Sequence, residues 1–247
     1  MRKIVLILFI LLIIFPVINA QPWQLRRYDA TFGIGTTQFY GDLGGYSKGK
    51  NLLGLKDFTF RNTRFNISSS LRYRIRENFA ARINMAIGLF HSADTHGTNT
   101  VRGYESTTTF FEPSLTGEYC FYKNGGENSF LILKNRGQVF ESLLTIIDFY
   151  GFAGVGGIFY IIKPNDLMAP TLNKTTRFTG VFPIGIGTRM IYSSNISLGI
   201  ELGGRYPLTD YLDGYTSPYS KSNDIYYFLN FTFTYKIKTG KNRLPSF

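Results

Sequence analysis

LGIELGGRYPLTDYLDGYTSPYSKSNDIYYFLNFTFTYKIK, residues 198–238, decides the fold. In its second half Ile225, Tyr227, Leu229, Phe231, Phe233, Tyr235 and Ile237 alternate with Tyr226, Phe228, Asn230, Thr232, Thr234 and Lys236. A period of two marks a strand with one continuous apolar face. The segment just before it repeats the pattern, with Ile196, Leu198, Ile200, Leu202 and Tyr206 on one face and Ser197, Glu201 and Arg205 on the other. Charges set opposite an apolar row, in strands this long, describe a wall between lipid and a polar interior.

The amino terminus is consistent with export. Arg2 and Lys3 precede an apolar run from Ile4 to Phe15, then Pro16 and a small residue at Ala20. This reads as a secretory signal peptide, residues 1–20, too short for a comfortable membrane span. Removing Arg2 and Lys3 lowers the formal net charge from +11 to +9. A basic balance can signal nucleic acid, but an exported chain does not meet it, so no nucleic-acid partner is expected. Cys120 is the one cysteine of the chain, so no internal disulfide forms. No later apolar run approaches the ~20 residues of a helical span, so any membrane crossing is made by strands.

Six further strands precede these two, at about 28–40, 58–75, 79–89, 107–122, 147–161 and 177–192. The phase of the second slips near Asn62 and Thr63, which predicts a bulge or an extension there. Long polar connections follow strands one, three, five and seven (Gly41–Asp57, His91–Ser106, Lys163–Thr176, Pro207–Asp224), and tight turns follow strands two and six. Such sorting on an even number of strands predicts an all-β fold, an eight-stranded antiparallel up-and-down transmembrane barrel of outer-membrane type. The barrel is expected to span 28–238, with a periplasmic lead at 21–27 and a periplasmic tail at 239–247. The connection Lys123–Ile146 breaks the rule, being periplasmic yet long. Its apolar piece Phe130, Leu131, Ile132 and Leu133 suits either a partner surface or packing beneath the barrel mouth, and disorder is an equal alternative.

With the apolar faces in outer-membrane lipid, the opposite faces collect Arg72, Arg74, Arg82, Glu112, Glu118, Arg189, Glu201 and Arg205. A bore of eight strands is narrow enough to be filled by side chains, so these charges read as a paired plug and not a conduction path. Tyr40, Tyr73, Tyr119, Tyr206, Tyr227 and Tyr235 fall near strand ends, where amphipathic rings settle at the lipid interface. Candidates for chemistry are few. His91, Ser92, Asp94 and His96 lie together in one polar loop, without a second cluster to complete a metal shell or a scaffold to hold a triad. Gly151–Gly157 is glycine-rich but lacks the Lys-Ser or Lys-Thr of a phosphate loop. No enzyme, cofactor or metal is expected.

Four stretches, FEPSLTGEYCFY (Phe111–Tyr122), FAGVGGIFYIIKPN (Phe152–Asn165), FPIGIGTRMIY (Phe182–Tyr192) and LGIELGGRYPLTDYLDGYTSPY (Leu198–Tyr219), resemble the PorG-type outer-membrane barrels of the type IX secretion and gliding machinery. The most specific part is the series Glu201, Arg205, Thr209, Asp210, Tyr211, Leu212 and Asp213. Gly214 stands where the family usually has a second aspartate, and Pro207 and Leu208 where a Thr-Phe pair is common. The resemblance implies a non-enzymatic component of an envelope machine, partnered by a periplasmic ring of a lipoprotein and its companion subunit (PorK and PorN). On the strand register Asp210–Asp213 lies in the outer loop at the mouth of strand seven, where it is expected to fix that loop against Arg205 or the rim. The alternative from the fold alone is a self-standing small barrel for ligand binding, adhesion or minor solute passage.

Overall fold

The computed structural model describes residues 26–44, 60–94, 100–123, 129–137, 142–172, 175–216, 223–240 and 244–246. The expected signal peptide and His96 lie outside the described residues. Eight antiparallel strands run in chain order: β1 (Tyr28–Tyr40), β2 (Arg64–Arg74), β3 (Phe79–Ala93), β4 (Glu105–Tyr122), β5 (Ile147–Pro164), β6 (Thr176–Ile191), β7 (Ile196–Pro207) and β8 (Ile225–Thr239). Each pairs with its sequence neighbour, and β1 pairs with β8 from Tyr28 opposite Ile237 to Tyr40 opposite Ile225. The sheet is therefore a closed up-and-down barrel with no lateral edge.

The period of two is expressed as two surfaces. Leu71, Ile83, Leu115, Ile184, Ile186, Ile200 and Phe231 all point outward, with Ile184 64 % and Phe231 61 % exposed. Arg72, Arg82, Glu118 and Asn230, on the opposite strand parity, are buried inside. A girdle of exposed apolar side chains around a polar lumen is stable only if lipid covers the girdle, which is the membrane-spanning design. No helix among the described residues is long and apolar enough to cross a membrane; the strands do so. Tyrosine rings cluster towards both ends, Tyr28 with Tyr73 at 5.1 Å and Tyr40 with Tyr227 at 5.5 Å between centroids.

Turns at the terminal end are short where the sequence predicts them. Ile75 and Arg76 both donate their amides to the Phe79 carbonyl at 3.0 Å, and Tyr192 and Ser193 donate to the Ile196 carbonyl at 3.1 and 3.0 Å. Two expectations are corrected. The second strand begins at Arg64, not near Phe58, because a 3-10 turn at Phe60–Asn62 replaces its start where the phase slips. The third strand continues to Ala93, since His91, Ser92 and Ala93 pair with Thr107, Ser106 and Glu105 despite their polar character. Within the expected tail, Pro245–Ser246 pairs as β9 with Lys238 and Thr239.

The connection after β4 folds into α1 (Phe130–Asn135) and a 3-10 turn (Leu143–Ile146). The Leu131 amide donates to the Tyr192 carbonyl at 3.3 Å, and Phe130 stacks on Tyr192 at 5.8 Å. This fastens the helix beneath the β6–β7 turn.

Candidate functional site

The interior is built in three layers. At the terminal end the charges meet. Glu118 accepts Arg72 at 2.7 Å and Arg189 at 3.2 Å, with Arg82 at 3.9 Å, and Arg72 also pairs with Asp29. Arg74 lies 3.9 Å from the same Asp29 carboxylate. Arg82 forks onto Glu201, whose Oε1 also accepts the Tyr150 hydroxyl at 2.6 Å. Lys236 interacts electrostatically with Asp29 and Asp148. Residues Arg72, Arg82, Glu118, Arg189 and Asp29 are all 5 % exposed or less. Buried charges at this density persist only as a mutually neutralising lattice.

Room for that lattice is made by glycines on β6. A Cβ on Gly187 would come within 2.5 Å of the Tyr150 ring, and one on Gly185 within 2.5 Å of the Phe152 ring. Those rings in turn carry the guanidiniums, Arg189 4.7 Å above Tyr150 and Arg82 4.8 Å above Phe152. These two β6 glycines thus serve ring packing, whereas Gly154 and Gly156 on β5 lie against the β4 backbone.

The middle layer is small and polar. Thr31, Ser68, Ser70, Asn84, Ser114 and Thr232 line a cavity of about 30 Å³. That volume suits a water molecule or two and nothing larger. Above it Glu112 accepts Arg205 at 3.5 Å and the Tyr226 hydroxyl at 2.6 Å, and Arg205 stacks 4.2 Å over Phe228.

The outer half of the bore is apolar. Phe90 stacks on Phe110 at 4.3 Å, Phe110 on Phe228 at 5.6 Å, and Phe39, Ile158, Tyr160, Ile162, Val181 and Leu212 complete the cluster. Leu212 is fully buried and drives the outer loop into the mouth like a stopper.

The Thr209–Asp213 series builds that stopper. Thr209 hydrogen-bonds Tyr160, and the Asp210 carbonyl accepts the Thr216 hydroxyl at 2.8 Å. Arg177 lies 3.8 Å over the Tyr211 ring. The Leu212 carbonyl accepts Thr108 at 2.8 Å, and its amide donates to Asp224 at 2.8 Å. Asp213 accepts the amides of Asp42, Leu43 and Tyr215 at 3.0, 3.1 and 3.0 Å. The series therefore grips the first outer loop and the β4 wall; Arg205 is not its partner, being held by Glu112 deeper in the bore. Gly214 sits at φ +86°, a backbone conformation that favours glycine. Burial pushes the Asp213 carboxyl up to about 7 and Asp224 well above the usual carboxylate range, with Asp42 and Asp210 adding repulsion.

The set drawn from His91, Ser92 and Asp94 is not assembled. Strand alternation turns His91 outward, while Asp94 is consumed by Arg102 at 2.7 Å and the amides of Gly44 and Tyr104. His91 is also not solvated, being 6 % exposed. Of the four apolar residues proposed as a partner surface, Leu133 is buried and Phe130 half-buried, whereas Leu131 and Ile132 are exposed, as is Leu144. Asp29, Asp148, Tyr150 and Tyr226 belong to the charge lattice and escaped the reading by charge. Their signal was the same strand parity that marks Arg72 and Glu201.

No protein-family model matches the chain, and no curated protein matches it. Among solved structures it is similar to the N-terminal β-barrel domain of Pseudomonas aeruginosa OprF (12 % identity, 85 % of this chain and 98 % of that one, TM-score 0.41). It is also similar to Neisserial surface protein A (11 %, 85 % and 96 %, 0.43) and to OprG from Pseudomonas aeruginosa (9 %, 86 % and 96 %, 0.42).

Proposed function

We propose that this chain is a non-conducting, non-enzymatic barrel of the outer membrane that anchors the periplasmic ring of the type IX secretion and gliding machinery. The observation that carries the reading is the combination of a closed bore with an equipped base. Ion pairs block the lumen at one end and stacked rings at the other, so the barrel's contribution lies on its surfaces. At the base, α1 is fastened by its first residues and presents Leu131 and Ile132 outward, with Leu144 nearby in the chain at 62 % exposed. Apolar side chains displayed on a tethered periplasmic helix fit a protein partner. The type IX assignment and the ring partner rest on the four stretches that resemble PorG-type barrels.

The test is the partition of type IX cargo between periplasm and medium in a strain lacking this chain, complemented with the wild type or Leu131→Asp. Trapped cargo in the null and in Leu131→Asp, with normal barrel levels in the membrane, supports the reading. Normal export without the chain ends it and leaves a self-standing barrel whose outer loops become its working surface.

A further inference from the structure

The outer edge of the lipid-facing wall carries a row of cations that the lumen does not use. Cross-strand register places His91 on β3 beside Thr107 on β4, and Thr107 beside Lys163 on β5. The row directly below is Leu89, Thr109 and Ile161, where Leu89 and Ile161 are exposed members of the apolar girdle. His91, Thr107 and Lys163 thus stand one step above the hydrocarbon, at the level of lipid head groups. The 3-10 turn Phe60–Asn62 packs against β3, and Arg61 and Arg64 are close enough to His91 to act on its charge. Together these contacts explain why an outward-facing histidine is buried.

The charge at this edge is unbalanced. Among the described residues no carboxylate lies within 4 Å of Arg61, Arg64 or Lys163, whereas Arg72, Arg82 and Arg189 in the lumen are all paired. Arg64 spends one nitrogen on the carbonyls of Arg61 and Thr63, at 2.7 and 2.9 Å, which fixes its guanidinium at the rim. Among the described residues the acidic group facing this edge is Glu105, 3.6 Å from His91 Nε2. It leaves three cationic side chains against one carboxylate. Phe60 and Phe65 flank the arginines at 84 % and 74 % exposure. Apolar rings beside unpaired guanidiniums, at the top of a hydrophobic girdle, match a molecule with acyl chains below and an anion above.

We propose that Arg61, Arg64 and Lys163, arranged around His91, form a binding site for the phosphate of a phosphorylated glycolipid in the outer leaflet. Arginine supplies the bidentate geometry that phosphate oxygens accept, and Lys163 adds a point charge from the far side of Thr107.

The full chain, folded in detergent micelles, is titrated with bisphosphorylated lipid A and with its dephosphorylated form, and binding is read by native mass spectrometry. The wild type is expected to favour the phosphorylated form. Two lost charge-assisted contacts predict that Arg61→Gln/Arg64→Gln binds it at least about tenfold more weakly. The charge-matched Arg76→Gln/Lys238→Gln, at the opposite end, is expected to bind as the wild type. The exposed Lys163→Gln, which loses no side-chain hydrogen bond or ion pair among the described residues, gives a smaller fall and keeps the test open if the arginine variant fails to fold. Equal weakening in both double variants, or equal binding of dephosphorylated lipid, overturns the proposal. Displacement of the lipid by millimolar inorganic phosphate also overturns it, since the site would then take the free anion.

Discussion

Replacing Glu118 by Gln tests whether the bore is closed by its charges. Glu118 is 1 % exposed and is approached by Arg72, Arg189 and Arg82 at 2.7, 3.2 and 3.9 Å. Around it Arg72, Arg74, Arg82, Arg189 and Lys236 face Asp29, Asp148, Glu118 and Glu201, one positive charge in excess. Glutamine keeps the shape and one hydrogen-bond acceptor but raises that excess by one in a site water barely reaches. Breaking a buried pair from one side costs about 3–5 kcal/mol, and that is the loss expected here. The assay is urea unfolding of the barrel in phospholipid vesicles, followed by the gel mobility of unheated folded protein. Adding Arg189→Met to Glu118→Gln removes the orphaned cation, so the double variant should lose clearly less than the sum of the singles. A loss below about 1 kcal/mol for Glu118→Gln, or strict additivity, refutes the reasoning; the charges would then be solvated and the base of the bore open.

The outer loop has its own test. Asp213, with a carboxyl pushed up to about 7, binds a proton in the folded loop that the unfolded loop releases near pH 4. Its contribution to stability is therefore complete below about pH 4 and is lost as pH rises through 7. Hydrogen exchange at residues 209–216, corrected for intrinsic rate, should show protection falling across that window, and Asp213→Asn should flatten the slope. At the glycine positions, Gly187→Ala meets the Tyr150 ring and should cost about 1–3 kcal/mol. Gly151→Ala, whose Cβ meets nothing nearer than 3.7 Å, should stay within about 0.5 kcal/mol in the same urea assay.

The strands were legible because lipid and lumen impose opposite demands on alternate residues, and the demand recurs along every strand. Where both faces are apolar that contrast disappears. Tyr226 and Phe228 face inward in the same strand that turns Tyr227 and Leu229 outward, and nothing in their chemistry separates the two sets. The aromatic stopper was therefore invisible until register placed Phe90, Phe110 and Phe228 at one height. The end of β3 was misjudged for the converse reason. His91-Ser92-Ala93-Asp94 looks like solvated loop, yet its backbone continues the ladder while a neighbouring turn covers its outer side. The charge lattice was half legible: arginines and glutamates advertise themselves, whereas Asp29 was one polar residue among threonines and glycines. The grip of Asp213 on Asp42 and Leu43 joins segments 170 residues apart and had no local trace.

The seam between β1 and β8 has a consequence for how the molecule comes into being. Its thirteen residues on β1 find partners almost two hundred positions away, and no nearer strand can substitute. Until β8 arrives, β1 and the last strand formed are both bare edges, prone to pair with any other chain. Closure is thus a late, long-range event with a large loop entropy to overcome, and slow by the same logic that slows other non-local sheets. A shortened chain has no partly working form: it remains an open ribbon with greasy and charged faces exposed together. The cell must carry the whole polypeptide, unsealed, as far as the membrane before any of it becomes a barrel.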